Sequence, residues 1–301
     1  MVVDNASTDG TARLVAHHRA QDARVELVPH PRPGISGALN AGLAQARGRW
    51  LVRVDAHSTV GPSYVSLAVE RLREGAWGGV GGRKDGVGTT PTGRAVATAL
   101  GSRFGVGGST YHHGTTVREV DHVAFGAYPT ALLRDLGGWD EGIAANEDFE
   151  LDQRVRGTGS PLLFDPRLVV RWHCRESVPD LYRQYRRYGR GKVAVAVRHP
   201  RSVRLRHVLP PAAVAWFAAA SLLALHRPRR SMAMLAPYAV AVATASLVES
   251  RQLSSARERA ALPLAFVAMH VGWGVGFWQQ AFRAMLDRAL LDGELADRDR
   301  L

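Results

Sequence analysis

Trp50-Leu51-Val52-Arg53-Val54-Asp55-Ala56-His57 joins an apolar run to a carboxylate and an imidazole. Aromatic and β-branched residues make Trp50 to Val54 a strand, and it ends on a carboxylate followed, two residues on, by an imidazole. Immediately upstream, Ser36 to Arg47 places Ala38, Leu39, Gly42, Leu43 and Ala46 on one helical side, and Gly48 stops that helix. Earlier still, Val2-Val3 runs into Asp4-Asn5, Thr11 to Ala20 has helical apolar spacing, and Val25 to Val28 reads as a short strand closed by Pro29. Strands alternating with helices, with polar residues at the strand ends, predict an α/β domain whose open sheet is mostly parallel and covered by helices on both faces. In such sheets ligands bind at the carboxyl ends of the strands, where Asp4 and Asp55 both fall.

Because side chains in an extended segment alternate, Asp55 and His57 point to the same side. A carboxylate oxygen with an imidazole nitrogen suits Mn²⁺ and, less well, Mg²⁺; an Asp at a strand end also serves as a turn residue. Asn146-Glu147-Asp148-Phe149-Glu150-Leu151 gathers three acids before a helical pattern. Carboxylates at a helix start are favoured by the helix dipole, and one of them raised into a cleft is a general base. Gln184 and Arg187 share a face at i and i+3, where their donors suit a sugar, a diphosphate or a lipid headgroup.

The back of the chain is different. Val208 to Leu225 and Ser231 to Val248 are each 18 residues without a charge, and Ala260 to Phe282 is a run of 23. Each nearly matches or exceeds what a hydrocarbon layer of about 30 Å requires of a helix. Gly272 and Gly276 form a GxxxG pair in the third run. Between Arg171 and Arg206, 11 basic residues face two acids, so most of the net charge of +12 sits directly before the first apolar run. That position favours anionic lipid or diphosphate over nucleic acid, and no nucleic-acid partner is expected. The single cysteine, Cys174, rules out an internal disulfide and any multi-cysteine metal centre.

Taken in order, Val3-Asp4-Asn5-Ala6-Ser7-Thr8-Asp9-Gly10-Thr11, Asn40-Ala41-Gly42, Asp55-Ala56-His57, Gly138-Trp139-Asp140-Glu141, Glu147-Asp148 and Gln184 to Arg187 resemble the family 2 glycosyltransferases. Val120-Asp121, Phe125 to Tyr128 and Tyr188-Gly189-Arg190-Gly191-Lys192 look most like the membrane-anchored glucosyltransferases of succinoglycan-type exopolysaccharide assembly. The resemblance implies a GT-A nucleotide-diphospho-sugar transferase fold, an inverting reaction and a divalent cation, Mn or Mg. It puts Asp4 and Asn5 at the nucleoside, Asp55 at the ribose and the metal, His57 in the second metal slot, and Asp148 as the base with Glu147 as its competitor. Gln184 and Arg187 match the family's QxxRW element, with Tyr188 in place of Trp, which argues for addition of one sugar rather than processive synthesis. The family opens with a further strand ahead of the one at Val2, so an N-terminally incomplete transferase domain is expected.

The expected organisation is a GT-A domain over 1–195, a basic juxtamembrane linker over 196–207, three transmembrane helices over 208–286 and a polar tail over 287–301. The expected activity is transfer of a sugar from a nucleotide-diphospho-sugar, a UDP-sugar first, to a polyprenyl-diphosphate-linked glycan. The expected setting is a bacterial-type inner membrane, with membrane lipids as partners and the catalytic domain cytoplasmic. The alternative is an inactive membrane-bound nucleotide-sugar-binding or scaffold protein derived from the same fold.

Overall fold

The structure, a computed structural model, describes residues 1–298, with side chains as far as Arg288. Two compact units form: one takes residues 1–84 and 114–171, the other residues 85–113 and the chain from Trp172 onward.

The first unit begins β1 (Val2–Asn5), α1 (Thr11–Gln21), β2 (Leu27–His30), α2 (Ile35–Gln45), β3 (Trp50–Val52), β4 (Ser58–Val60), α3 (Tyr64–Glu74) and β5 (Gly79–Val87). After α4 (Pro91–Gly101), α5 (Arg103–Val106) and α6 (Thr110–His113) of the second unit, it resumes with β6 (Arg118–Val120), β7 (Ala127–Pro129), α7 (Thr130–Asp135), α8 (Glu147–Gly157) and β8 (Leu162–His173). Burial explains the helices and strands locally. On α3, Tyr64, Ala68 and Leu72 are buried at four-residue spacing while Glu70, Arg73 and Glu74 lie on other faces. On β8 the run Leu162 to Asp165 is buried throughout, whereas Leu168, Val170 and Trp172 alternate with exposed Arg167, Arg171 and His173.

The α/β expectation holds, but the sheet is mixed rather than mostly parallel. β1 and β2 pair in parallel as a two-stranded sheet, and the larger sheet runs β3-β7-β5-β8-β4 with β6 on β8. The β3–β7, β5–β7 and β6–β8 pairings are all antiparallel. Periodicity reveals that a strand exists and which side chains face inward, but carries no strand direction, and the short β7 slots between β3 and β5 against both. Pro29, expected to close its strand, lies inside β2 opposite Asp4.

In the second unit, α9 (Val178–Arg198) is followed by α10 (Leu205–Ala224), α11 (Pro228–Glu249) and α12 (Ala256–Arg298). Segments Leu205–Ala224, Pro228–Gln252 and Ala256–Arg288 are long and apolar enough to cross a membrane. α12 stays helical through Arg298 where a polar tail from 287 is expected, and residues 299–301 lie outside the described residues. The basic helix α9 packs on α12 through glycines. A β-carbon at Gly272 would meet the Tyr182 carbonyl at 2.7 Å, one at Gly276 would strike the Arg186 carbonyl, and one at Gly189 the Trp273 carbonyl. Small residues here let two backbones touch, as the GxxxG spacing anticipates.

Candidate active site

β3 sets the site. Its antiparallel register, Leu51 opposite Tyr128 and Val52 opposite Ala127, carries Arg53 alongside the loop before β7, where Arg53 N–H reaches the Gly126 carbonyl. Asp55 then turns the chain, its carbonyl accepting from the backbone N–H (2.9 Å) and the hydroxyl (2.6 Å) of Ser58. Its carboxylate accepts from Arg53 Nε at 2.8 Å and Nη2 at 3.2 Å. His57, two residues on, is exposed.

The acid pair opens α8. Asn146 takes a left-handed conformation (φ 64°) to start the helix, so Glu147 and Asp148 are its first two residues. Arg154, one turn beyond Glu150, donates to both Glu150 oxygens and to the carbonyls of Leu136 and Gly138, locking α8 to the Gly138-Trp139 loop. Asn40 of α2 holds that loop from the other side: its Nδ2 donates to the Trp139 carbonyl and its Oδ1 accepts the Trp139 N–H. Two motifs a hundred residues apart in the chain are thereby one structure.

Glu147 is buried, 3.6 Å from Arg53 Nη2. Its burial and the neighbouring Asp148 charge push its carboxyl above the ordinary value. For Asp148 burial acts upward as well, but the positive charges of His122, Arg53 and Lys84 and the N–H of Phe149 (2.8 Å) outweigh it, so this carboxyl lies below the ordinary value. Adjacent carboxyls are thus shifted in opposite directions, Glu147 upward by its burial and Asp148 downward by the cations around it. Lys84, on β5 and 5.2 Å from the Phe125 ring centre, is pushed down to about 8 by burial despite Asp148 and Asp55. Fixed charges therefore converge from β3, β5, the loop before β7 and α8.

The other anticipated residues are distributed. Asp4 accepts the Ser7 N–H at 3.1 Å and Asn5 the Gly34 N–H at 3.0 Å, so both shape the loops after β1 and β2. In the second unit, Gln184 is buried with its Oε1 unpartnered, whereas Arg187, at i+3, is exposed with its guanidinium 5.9 Å from the Tyr188 ring centre. The i, i+3 face is split between interior and surface. Sequence reasoning did not find Arg53, Lys84, His122 and Asp152. A charge inside the apolar run Trp50 to Val54, and a carboxylate one turn after Asp148, were the available signals.

Among the described residues no three of His, Cys, Asp and Glu stand together as a metal cage. Asp55, whose two carboxylate oxygens accept from Arg53, and the exposed His57 offer donor types that Mg²⁺ and Mn²⁺ take, ions commonly held by one or two protein donors plus phosphate oxygens and water.

Comparison with known proteins follows the same lines. The profile described as Glycosyl transferase family 2 matches residues 1–133. The succinoglycan biosynthesis protein ExoA of Rhizobium meliloti (strain 1021) is 30% identical over 286 residues, which is 93% of this chain and 84% of that protein. The succinoglycan biosynthesis protein ExoO of the same organism is 43% identical over 72 residues, 24% of this chain and 20% of its own length. Among solved structures, the mannosyltransferase PcManGT from Pyrobaculum calidifontis, in complex with GDP-Man and Mn²⁺, superposes with a TM-score of 0.51 at 22% identity, covering 90% of this chain and 76% of that one. The fold is that of a GT-A glycosyltransferase carrying three C-terminal helices able to span a membrane. The chain belongs to glycosyltransferase family 2, and its likeness to ExoA runs through nearly its whole length.

Proposed function

We propose that this protein is an inverting glycosyltransferase that moves a sugar from a nucleotide-diphospho-sugar, a UDP-sugar first, to a lipid-linked glycan in exopolysaccharide or cell-surface polysaccharide synthesis. The observation that carries the reading is the acid pair at the start of α8: Glu147 stands 3.6 Å from Arg53 Nη2, and the charges of His122, Arg53 and Lys84 hold the Asp148 carboxyl below its ordinary value while burial raises that of Glu147. Neighbouring carboxyls driven apart in this way separate a base from its companion. Asp148 takes the proton of the acceptor hydroxyl while that oxygen bonds to the anomeric carbon of the donor sugar. The bond from that carbon to the diphosphate oxygen breaks on the opposite face, which inverts the centre.

Asp55 and His57 would hold a divalent cation, Mn or Mg, and the chemistry it would supply there is neutralisation of charge on the departing diphosphate. Asp4 and Asn5 address the nucleoside, Asp55 also the ribose, and Gln184 with Arg187 the acceptor or its diphosphate. The name of the relative ExoA supports an exopolysaccharide product. The three apolar helices support a polyprenyl-diphosphate-linked acceptor presented at the bilayer, with residues 1–195 as the transferase domain, 196–207 as the basic linker and 208–286 as the membrane anchor. The setting is a bacterial-type inner membrane with the transferase domain cytoplasmic, where sugar nucleotides are made.

The test incubates membranes containing the full chain with labelled UDP-glucose, UDP-galactose or GDP-mannose and counts label in the organic-solvent extract. Label appears with one donor and disappears with excess chelator. Donor binding with no label in any extract contradicts the enzyme reading and favours the scaffold alternative.

A further inference from the structure

The side chain of Arg53 is 9% exposed, and its guanidinium is held in one orientation. Asp55 receives Nε and Nη2, Glu147 stands 3.6 Å from Nη2, and the Phe125 ring centre lies 5.9 Å from the guanidinium carbon. Nη1 is buried and has no hydrogen-bond partner. A rigid fork pinned along one edge fixes the direction of its remaining N–H bonds, so both Nη1 hydrogens are aimed at a fixed place with nothing there to accept them. Buried charged donors are costly to leave unmet, and a native chain keeps such a group where another molecule supplies the acceptor.

We propose that Arg53 Nη1 forms a subsite for a hydroxyl oxygen of the donor's transferred sugar. The inference rests on the sugar-transfer reading above and adds to it a residue that contacts the donor. Position favours the sugar, because Arg53 bridges Asp55, on the nucleotide side in that reading, and Glu147, next to the base. Charge favours a hydroxyl over a phosphate. Asp55, Asp148 and Glu147 all stand around Arg53, so a phosphate placed on Nη1 would face their carboxyls. A neutral hydroxyl accepts an Nη1–H bond without bringing further negative charge beside those carboxyls.

Equilibrium binding to the full-length protein in membranes tests the assignment, using whichever of UDP-glucose, UDP-galactose and GDP-mannose binds tightest and its singly deoxygenated sugar analogues. In the wild type, removal of one hydroxyl weakens binding by about tenfold to a hundredfold, the usual range for a hydrogen bond to a charged group. Arg53→Lys keeps a positive charge beside Asp55 and Glu147 but lacks Nη1. This variant binds the parent donor about as weakly as the wild type binds that analogue, and it no longer distinguishes the two. Thermal unfolding checks that the variant is folded; if it is not, the wild-type comparison decides alone. Wild-type protein that binds every analogue like the parent, or a folded Arg53→Lys that keeps the discrimination, overturns the subsite. Wild-type protein that binds no sugar nucleotide overturns the sugar-transfer reading itself, and the subsite with it.

Discussion

His122 gives its Nδ1–H to Asp152 at 2.7 Å, one helical turn beyond Asp148. Asp152 is completely buried, and its two oxygens also accept the Tyr128 hydroxyl (2.9 Å) and the Val123 N–H (2.9 Å), so the carboxylate is the acceptor and the imidazole the donor. The His122 ring packs 5.3 Å from that of Phe149, the residue after Asp148. Burial works against its charge, but Asp152, Asp148 and Asp121 together raise the imidazole above its ordinary value. The protonated ring in turn heads the charges that hold Asp148 low.

If Asp148 is the base, as proposed, turnover should have an acidic limb set by it, active above its lowered value and lost as pH falls through it. In His122→Asn that value rises, and the limb in kcat/KM moves to higher pH by about one unit, the lower range for loss of a close opposite charge. A pH–rate profile unchanged by the substitution contradicts the coupling.

Asp165 of β8 predicts a pH dependence of stability. Its carboxylate is buried, and although burial acts upward, Arg167 (2.7 Å) and Arg71 (2.9 Å) lower it from 3.8 to about 2. A folded value below the unfolded one means that the stabilisation is complete above the unfolded value and fades as pH falls toward the folded one. Asp165→Asn should cost about 2 kcal/mol at neutral pH, with the difference from wild type narrowing between about pH 4 and pH 2. Unfolding midpoints of the two proteins across that range measure it.

Much of this was legible in the sequence. Asp55 and the Glu147-Asp148 pair were found because a strand end and a helix start are read locally, and Asn40 and Trp139 were recognised as motifs although only the fold shows that they hold each other. Arg53, Lys84, His122 and Asp152 were not legible. Each looks like a polar interruption of a strand, a loop or a helix, and their convergence depends on β7 lying between β3 and β5, a non-local pairing that no window of residues encodes. The glycines of α9 and α12 show as small residues in the sequence, but their close contacts are visible only when two backbones are seen to touch.

Those contacts set a further prediction. Gly276→Val drives a branched side chain into the Arg186 backbone, which cannot swing aside as a flexible side chain would. Overpacking of this kind costs about 1–3 kcal/mol, so the detergent-solubilised variant should unfold at a lower temperature. Val271→Leu, on the same helix and not at a glycine, is the milder comparison, and equal midpoints for Gly276→Val and wild type contradict the close crossing.

Orientation is equally testable. With the transferase domain cytoplasmic and three spans, the link His226 to Arg230 and the end of the chain both lie across the membrane. Lys and Arg within 20 residues of the apolar runs number 9 on the inner segments and 7 on the outer, a bias too small to fix the topology by charge. Reporter fusions in that link and after Leu301 should both report the outer side; a cytoplasmic signal at either contradicts three simple spans.

The assignment of Asp148 as the base is most directly tested by sugar transfer in membranes carrying wild type, Asp148→Asn or Glu147→Gln, with donor binding measured in parallel. Asp148→Asn should bind donor nearly as wild type does and turn over at least about 100-fold more slowly, while Glu147→Gln loses less. A mild Asp148→Asn beside a crippled Glu147→Gln would contradict the account.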